Sequence, residues 1–207
     1  MPAVPRSVAV AILAAGGGTR AGGSAPKPLL HLRGRPLVSW ALDSARASGL
    51  RPVLLVVGHE ADAVGAVAPR GVEVVVSTDW HRGIAHSLRA ALGALSGRPA
   101  VDAACIGLAD QPLVGADAYR RVGAAYDDGT DLAVATYGDV RGNPVLLRRS
   151  RWGEAMRLEG DEGARVLFRR HPVMEVPCDG TGDPSDVDTL DDLRAMEIRC
   201  ASKTNSE

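Results

Sequence analysis

An α/β domain in three layers, α/β/α around a mostly parallel sheet, is what the sequence predicts, and three observations carry the prediction. Short apolar runs such as Val8–Leu13, Pro52–Val57 and Ala103–Leu108 recur along the chain and read as strands buried on both faces. Segments with a helical spacing of apolar residues alternate with these runs, as they do where crossover helices cover a parallel sheet. Finally, a glycine-rich loop follows the first run and Asp110 follows the fourth, and sheets of this kind bind ligands beyond the carboxyl ends of their strands.

The first strand, Val8–Leu13, runs into Ala14, Ala15 and the adjacent glycines Gly16, Gly17 and Gly18. A backbone without side chains lets a phosphate approach closely, and Arg20 and Lys27 place two positive charges near the same loop. The glycines would serve equally as a turn. The run from Gly16 to Ala21 also fits a loose G-x-G-x-x-A dinucleotide fingerprint, which wants an acid at the end of a second strand roughly 20 residues later. The only acid there, Asp43, falls within Pro36–Ser48, a stretch of helical spacing stopped by Gly49. No G-K-[ST] follows the glycines, so a Walker loop is excluded too.

Pro52–Val57 is the second strand, Glu60–Ala68 a weaker helix, and Val72–Val76 the third strand. Ile84, Leu88, Ala91, Leu92 and Leu95 share one face of the next helix. The fourth strand, Ala103–Leu108, leads into Ala109, Asp110, Gln111 and Pro112; a helix over Ala116–Tyr126 and a strand over Asp131–Thr136 follow. Beyond residue 137 the alternation loosens. Gly142–Leu147 reads as a loop entering a strand, Trp152–Leu158 and Ala164–Arg169 as short helices, Val173–Val176 as a strand and Leu190–Ile198 as a terminal helix. No repeat or low-complexity tract interrupts this order, which predicts a single domain over 1–199 and a flexible polar tail over 200–207.

At 207 residues the chain is long enough to bury a full core. Its formal net charge of -1 lacks the basic excess of a nucleic-acid or membrane-surface binder and suits a small-molecule ligand. Cys105, Cys178 and Cys200 form no C-x-x-C pair and cannot all pair within one chain, so reduced thiols in a cytoplasm are expected, with Cys105 inside its strand's core. Met1–Ser7 is too short for a signal n-region and the next apolar run too short to span a bilayer, which again predicts a soluble cytoplasmic protein.

Asp110 would either cap the following helix or stand beside the glycine loop, and Pro112 behind it favours the second. Phosphoryl and nucleotidyl transfers need a divalent ion, and magnesium takes one or two carboxylates plus phosphate oxygens. A second carboxylate is available in Ser185–Leu193, where Asp188 and Thr189 would also suit a helix start. Gly160–Arg165 and Trp80–Arg89 each open a helix with a flexible backbone and an arginine, and would hold a phosphate or ribose as readily as they would cap. His31, His59, His81, His86 and His171 show no metal-ligand spacing and read mostly as surface residues. No nucleophile motif is present, since Ser87 lacks a G-x-S-x-G setting.

Leu13–Arg20, with Pro26–Leu30 and Gly34–Val38, resembles the signature of the nucleotidyltransferases that activate sugar phosphates, methylerythritol phosphate and molybdopterin. Trp80, Gly83 and Ser87–Arg89, then Gly107–Pro112, Gly142–Pro144, Gly160–Arg165 and Asp186–Thr189, are similar to the molybdenum cofactor cytidylyltransferase branch. The resemblance runs from residue 8 to residue 197 and implies a Rossmann-like fold of the nucleotide-diphospho-sugar transferase type. It implies that Leu13, Ala14, Ala15 and Gly16 contact base and ribose, with Ser87 also on the nucleotide, and that Gly17, Gly18, Arg20 and Lys27 surround the triphosphate. Asp110 and Asp188 would carry Mg2+, Arg20, Lys27 and Asp110 would be the catalytic groups, and Asn143, Asp161 and Arg165 would face the acceptor.

In that branch alanine at the position of Ala15 goes with CTP and glycine with GTP, so CTP is implied over GTP. The seven positions from Arg20 to Lys27 are more typical of the sugar-phosphate and methylerythritol branches and leave the phosphorylated acceptor open. The implied reaction transfers CMP from CTP to the terminal phosphate of molybdopterin with release of pyrophosphate, and the product would pass to a recipient molybdoenzyme. Two alternatives stand beside it: a sugar-1-phosphate nucleotidyltransferase, which the short chain disfavours, and a non-catalytic cofactor-delivery protein, against which intact Lys27, Asp110 and Asp188 argue.

Overall fold

A computed structural model of the chain describes residues 7–17 and 26–204. Gly18 and Arg20, both expected at the triphosphate, lie outside the described residues. The elements run β1 (Ser7–Ala14), β2 (His31–Leu32), β3 (Arg35–Pro36), α1 (Leu37–Ala47), β4 (Val53–Val57), α2 (Ala61–Gly65), β5 (Val72–Val76), α3 (Ile84–Ser96) and β6 (Val101–Leu108). They continue with α4 (Ala116–Ala124), β7 (Leu132–Tyr137), β8 (Val140–Arg148), α5 (Arg149–Ala155), β9 (Met174–Pro177) and α6 (Leu190–Thr204), and short 3-10 turns occupy Lys27–Leu29, Trp80–Arg82 and Ala164–Arg169.

Seven strands form one sheet in the order β5-β4-β1-β6-β8-β7-β9. The neighbours of β1, β4 and β5 are all parallel, as is β7 with β9, whereas β8 runs against both β6 and β7. Side chains alternate across a strand, and β1 distributes them accordingly. Val8, Val10, Ile12 and Ala14 join the core under α1, α2 and α4, while Ala9, Ala11 and Leu13 join the core under α3 and α5. A strand apolar from Val8 to Ala14 is thus the direct consequence of two helical layers. A third small cluster of Leu32, Leu37, Val187 and Met196 fastens the β2–β3 hairpin to α6. Among the described residues no helix is long and apolar enough to cross a membrane.

Several elements differ from the sequence reading, each for a local reason. Gly142–Pro144 belongs to β8 rather than to a loop: Val134 pairs with Val145 and Thr136 with Arg141, so residues 142–144 bulge opposite Ala135. The bulge lies past the last β6 partner pair, Ile106 with Val145, where Pro144 interrupts no ladder bond. The helix expected at Trp152–Leu158 starts at Arg149, whose guanidinium donates to the carbonyls of Leu95, Arg98 and Val101 and fixes that first turn. The helix expected over Glu60–Ala68 is confined to Ala61–Gly65. At the other end α6 continues to Thr204, so residues 200–204 are helix rather than tail; no Gly or Pro breaks them, and Ser202 Oγ donates back to the Ile198 carbonyl at 2.9 Å. His86 is 4% exposed and not a surface residue, because the segment around Gly160 covers the first turn of α3.

Asp131 ties the entry of β7 to α5, accepting from Ser150 Oγ at 2.7 Å and from Arg151 Nε at 2.9 Å. The Ser150 hydrogen bond, reinforced by Arg151 against the cost of burial, holds this carboxyl below its ordinary value of 3.8. A depressed carboxylate stabilises the fold above the unfolded-state value and loses that contribution as pH falls through the folded value. Asp131→Asn is therefore expected to lower the melting temperature at neutral pH, with the gap to the parent chain closing below about pH 4. Thermal unfolding across a pH series measures this, and a gap unchanged down to pH 2 contradicts it.

Candidate active site

The carboxyl end of β1 is held on both sides by an extension of the sheet ladder. Ala109 N donates to the Leu13 carbonyl and His59 N to the Ala15 carbonyl, each at 3.0 Å, so the backbone is fixed up to the point where Gly16 begins. Gly58 is needed beside it, since a Cβ there would lie 2.5 Å from Trp80 Cβ and 2.8 Å from the Ala15 oxygen.

β6 ends at Leu108 and delivers Asp110 to the same edge of the sheet. The next helix begins at Ala116 with Gly115 at its cap and no side-chain capping bond, so Asp110 does not cap it. Instead Lys27, placed by the turn after Pro26, donates to Asp110 Oδ2 and to Asp188 Oδ1, both at 2.7 Å. Asp188 is available because its neighbours cap α6. Thr189 Oγ1 accepts from Asp192 N at 3.1 Å, while the Asp192 carboxylate accepts from the backbone N–H groups of Asp188 and Thr189, a reciprocal capping box. A backbone bond from Val187 N to the Asp110 carbonyl, 2.9 Å, stitches the two segments together.

Asp186 joins this group. Burial first, and then the charges of Asp110 and Asp188, push its carboxyl above the ordinary range, with Gln111 and Lys27 opposing. For Lys27 burial works downward, but attraction to Asp110 and hydrogen bonds to both aspartates outweigh it and hold the ammonium above its ordinary value. Three carboxylates thus face one ammonium, and Asp110 Oδ1 is buried with no hydrogen-bond partner among the described residues. A triphosphate would not settle against that excess of negative charge without a cation, and an unused carboxylate oxygen is what such a cation binds. The described residues hold no ready cluster of three or more His, Cys, Asp or Glu, as suits an ion completed by phosphate oxygens.

Two clefts meet here. One of about 500 Å³ is lined by Leu13, Ala15, Gly16, Gly17, Trp80, Ser87 and Asp110. The other, about 360 Å³, contains Asn143, Asp161 and Arg165 among largely aliphatic walls. Leu13, Ile84, Leu108 and Asp161 border both, and Lys27 and Ala14 line a smaller recess beside Asp110. Every expected site residue within the described chain except Asp188 lines one of these adjoining recesses, and Asp188 is tied to them through its bond from Lys27. In the second cleft Asn143 Nδ2 donates to Gln111 Oε1 at 2.8 Å, and Gln111 Nε2 to the Pro184 carbonyl at 3.0 Å. The sequence reading gave Gln111, Asp186 and Trp80 no roles, although each stands in a motif it quoted; a polar residue between an acid and a proline was the available signal for Gln111.

A glycine loop, a bridging lysine and paired aspartates at the carboxyl ends of a mostly parallel sheet define a nucleotide-handling protein of the nucleotidyltransferase class. Residues 10–175 match the family described as the MobA-like NTP transferase domain, and the chain belongs to that family. The crystal structure of Rv0371c from Mycobacterium tuberculosis superposes with a TM-score of 0.84 at 37% identity, over 95% of this chain and 100% of that one. A manganese complex of the same protein gives 0.78 at 34%, over 94% and 99%. Nicotine blue oxidoreductase of Paenarthrobacter nicotinovorans is 32% identical over 193 residues, 88% of this chain and 92% of its own length. The bifunctional protein GlmU of Azorhizobium caulinodans is 34% identical over 177 residues, which cover 82% of this chain but only 39% of that longer protein.

Proposed function

We propose that this nucleotidyltransferase moves CMP from CTP onto the terminal phosphate of molybdopterin or the molybdenum cofactor and releases pyrophosphate, for delivery to a molybdoenzyme. The observation that carries the reading is the Lys27 bridge between Asp110 and Asp188 beside the glycine loop. Leu13, Ala14, Ala15 and Gly16 seat base and ribose, with Ser87 on the facing helix. Gly17, Gly18, Arg20 and Lys27 surround the triphosphate, and Asn143, Asp161 and Arg165 orient the acceptor. Ala15 favours cytidine over guanosine.

Asp110 and Asp188 fit a divalent ion, Mg2+ or Mn2+. When bound, that ion supplies charge neutralisation on the triphosphate. Lys27 and Arg20 hold the phosphate oxygens and the α-phosphorus in line with the acceptor. An acceptor phosphate oxygen bonds to the α-phosphorus as the bond to the α–β bridging oxygen breaks, and its electron pair departs with pyrophosphate. The acceptor is already anionic at neutral pH, so no protein base has to remove a proton.

Pyrophosphate release from CTP or GTP with Mg2+ or Mn2+, offered molybdopterin or a sugar 1-phosphate, tests the proposal. Release that requires molybdopterin and favours CTP is the expected result; release only with the sugar selects a sugar-1-phosphate enzyme, and none with any acceptor selects a delivery protein. The 32% identity to nicotine blue oxidoreductase favours a second reading, an oxidoreductase. A redox change of nicotine blue without pyrophosphate release would select that one.

A further inference from the structure

Aromatic residues are scarce in this chain, with three Trp, three Tyr and one Phe, which makes the setting of each tryptophan informative. Trp152 is buried and donates its indole N–H to the Leu147 carbonyl; Trp40 donates to the Leu32 carbonyl and lies under the Arg35 guanidinium. Trp80 differs from both. It is half-buried, and it is the one Trp, Tyr or Phe lining the cleft that contains Ala15, Gly16 and Gly17. Its indole N–H has no hydrogen-bond acceptor among the described residues.

The ring is held from behind. Trp80 sits on Gly58, where no Cβ intervenes, and the His59 and His81 rings lie at centroid distances of 5.1 and 6.0 Å, tilted by 56° and 88°. Its six-membered edge touches the glycine loop, since a Cβ on Gly17 would stand 3.3 Å from Cζ3. A rigidly supported aromatic surface with an unused N–H donor, left open to a cleft, suits a flat heteroaromatic ligand that also carries an acceptor oxygen or nitrogen.

We infer that Trp80 is a nucleobase-binding residue: the indole provides the flat surface against which the base of the bound nucleoside triphosphate rests, and its N–H donates to that nucleoside. The inference rests on the nucleotidyltransferase reading. It assigns the base to the Trp80 side of the cleft and the phosphates to the Lys27 side.

The test titrates CTP and inorganic tripolyphosphate, each with Mg2+, into the parent protein and into Trp80→Phe and Trp80→Leu, by tryptophan fluorescence and calorimetry. CTP should quench parent fluorescence while tripolyphosphate does not, and Trp80→Leu should weaken CTP about tenfold while leaving tripolyphosphate unchanged. Trp80→Phe, which keeps a ring, should recover most of the CTP affinity. Equal CTP affinity in parent and Trp80→Leu overturns the inference, and so does equal weakening of both ligands, which would make Trp80 only a support for the loop. Failure of the underlying reading is distinguishable, because the parent protein itself would then bind neither CTP nor GTP, and the inference would fall with it.

Discussion

Asp110→Ala is expected to lower pyrophosphate release by about 100-fold or more while leaving the melting temperature nearly unchanged. Asp110 gives one oxygen to Lys27 and keeps the other buried with no partner among the described residues, so its removal takes a preorganised charge from the reacting centre while relieving the fold of an unsatisfied buried oxygen. Lys27 would retain Asp188 as a partner. Asp110→Asn keeps the shape without the charge and should be impaired comparably, which separates electrostatics from packing. Single-turnover rates with saturating nucleotide measure the effect, and near-parent turnover in Asp110→Ala would remove this residue from the reaction.

Gly83→Ala should be the most damaging small substitution at the junction of the two clefts. Gly83 has φ +109°, a region that L side chains rarely adopt, and an added Cβ would overlap the backbone carbonyl group of Gly160. The contact matters because Ala85 N donates to the Gly160 carbonyl at 3.1 Å, which locks the first turn of α3 to the segment bearing Asp161 and Arg165. Backbone strain and overpacking together are expected to cost about 2 kcal/mol or more, a fall in melting temperature of about 5 °C. Acceptor KM should rise more than nucleotide KM, since the displaced segment lines the acceptor side. A parent-like melting temperature together with unchanged acceptor KM would refute the coupling.

The central sheet was legible because a strand covered on both faces must be apolar at nearly every position, as Val53–Val57 is, and no tertiary detail changes that requirement. The β2–β3 hairpin was not, because two-residue strands leave no periodicity to read. Nor was the direction of β8: residues 142–147 are buried like those of the parallel strands elsewhere in the sheet, and strand direction depends on which partners it meets. A helix boundary was missed where a tertiary contact set it, as at the Arg149 start of α5, and was legible where it was a local break, as at Gly49 after α1.

At the candidate site, Lys27 and Asp110 were legible as charged groups beside a glycine loop and Asp188 as an available second carboxylate, and the family resemblance gave all three their implied roles. Sequence by itself determined the layered α/β architecture and the nucleotidyltransferase family. Tertiary structure alone decided that one ammonium bridges carboxylates 83 and 161 residues away, that Asp186 joins them and that Trp80 faces the glycine loop. The physical reason is range. Apolar periodicity and turn chemistry act over a few neighbouring residues, whereas charge pairing and ring packing at the site depend on crossovers that bring distant segments to the same strand ends.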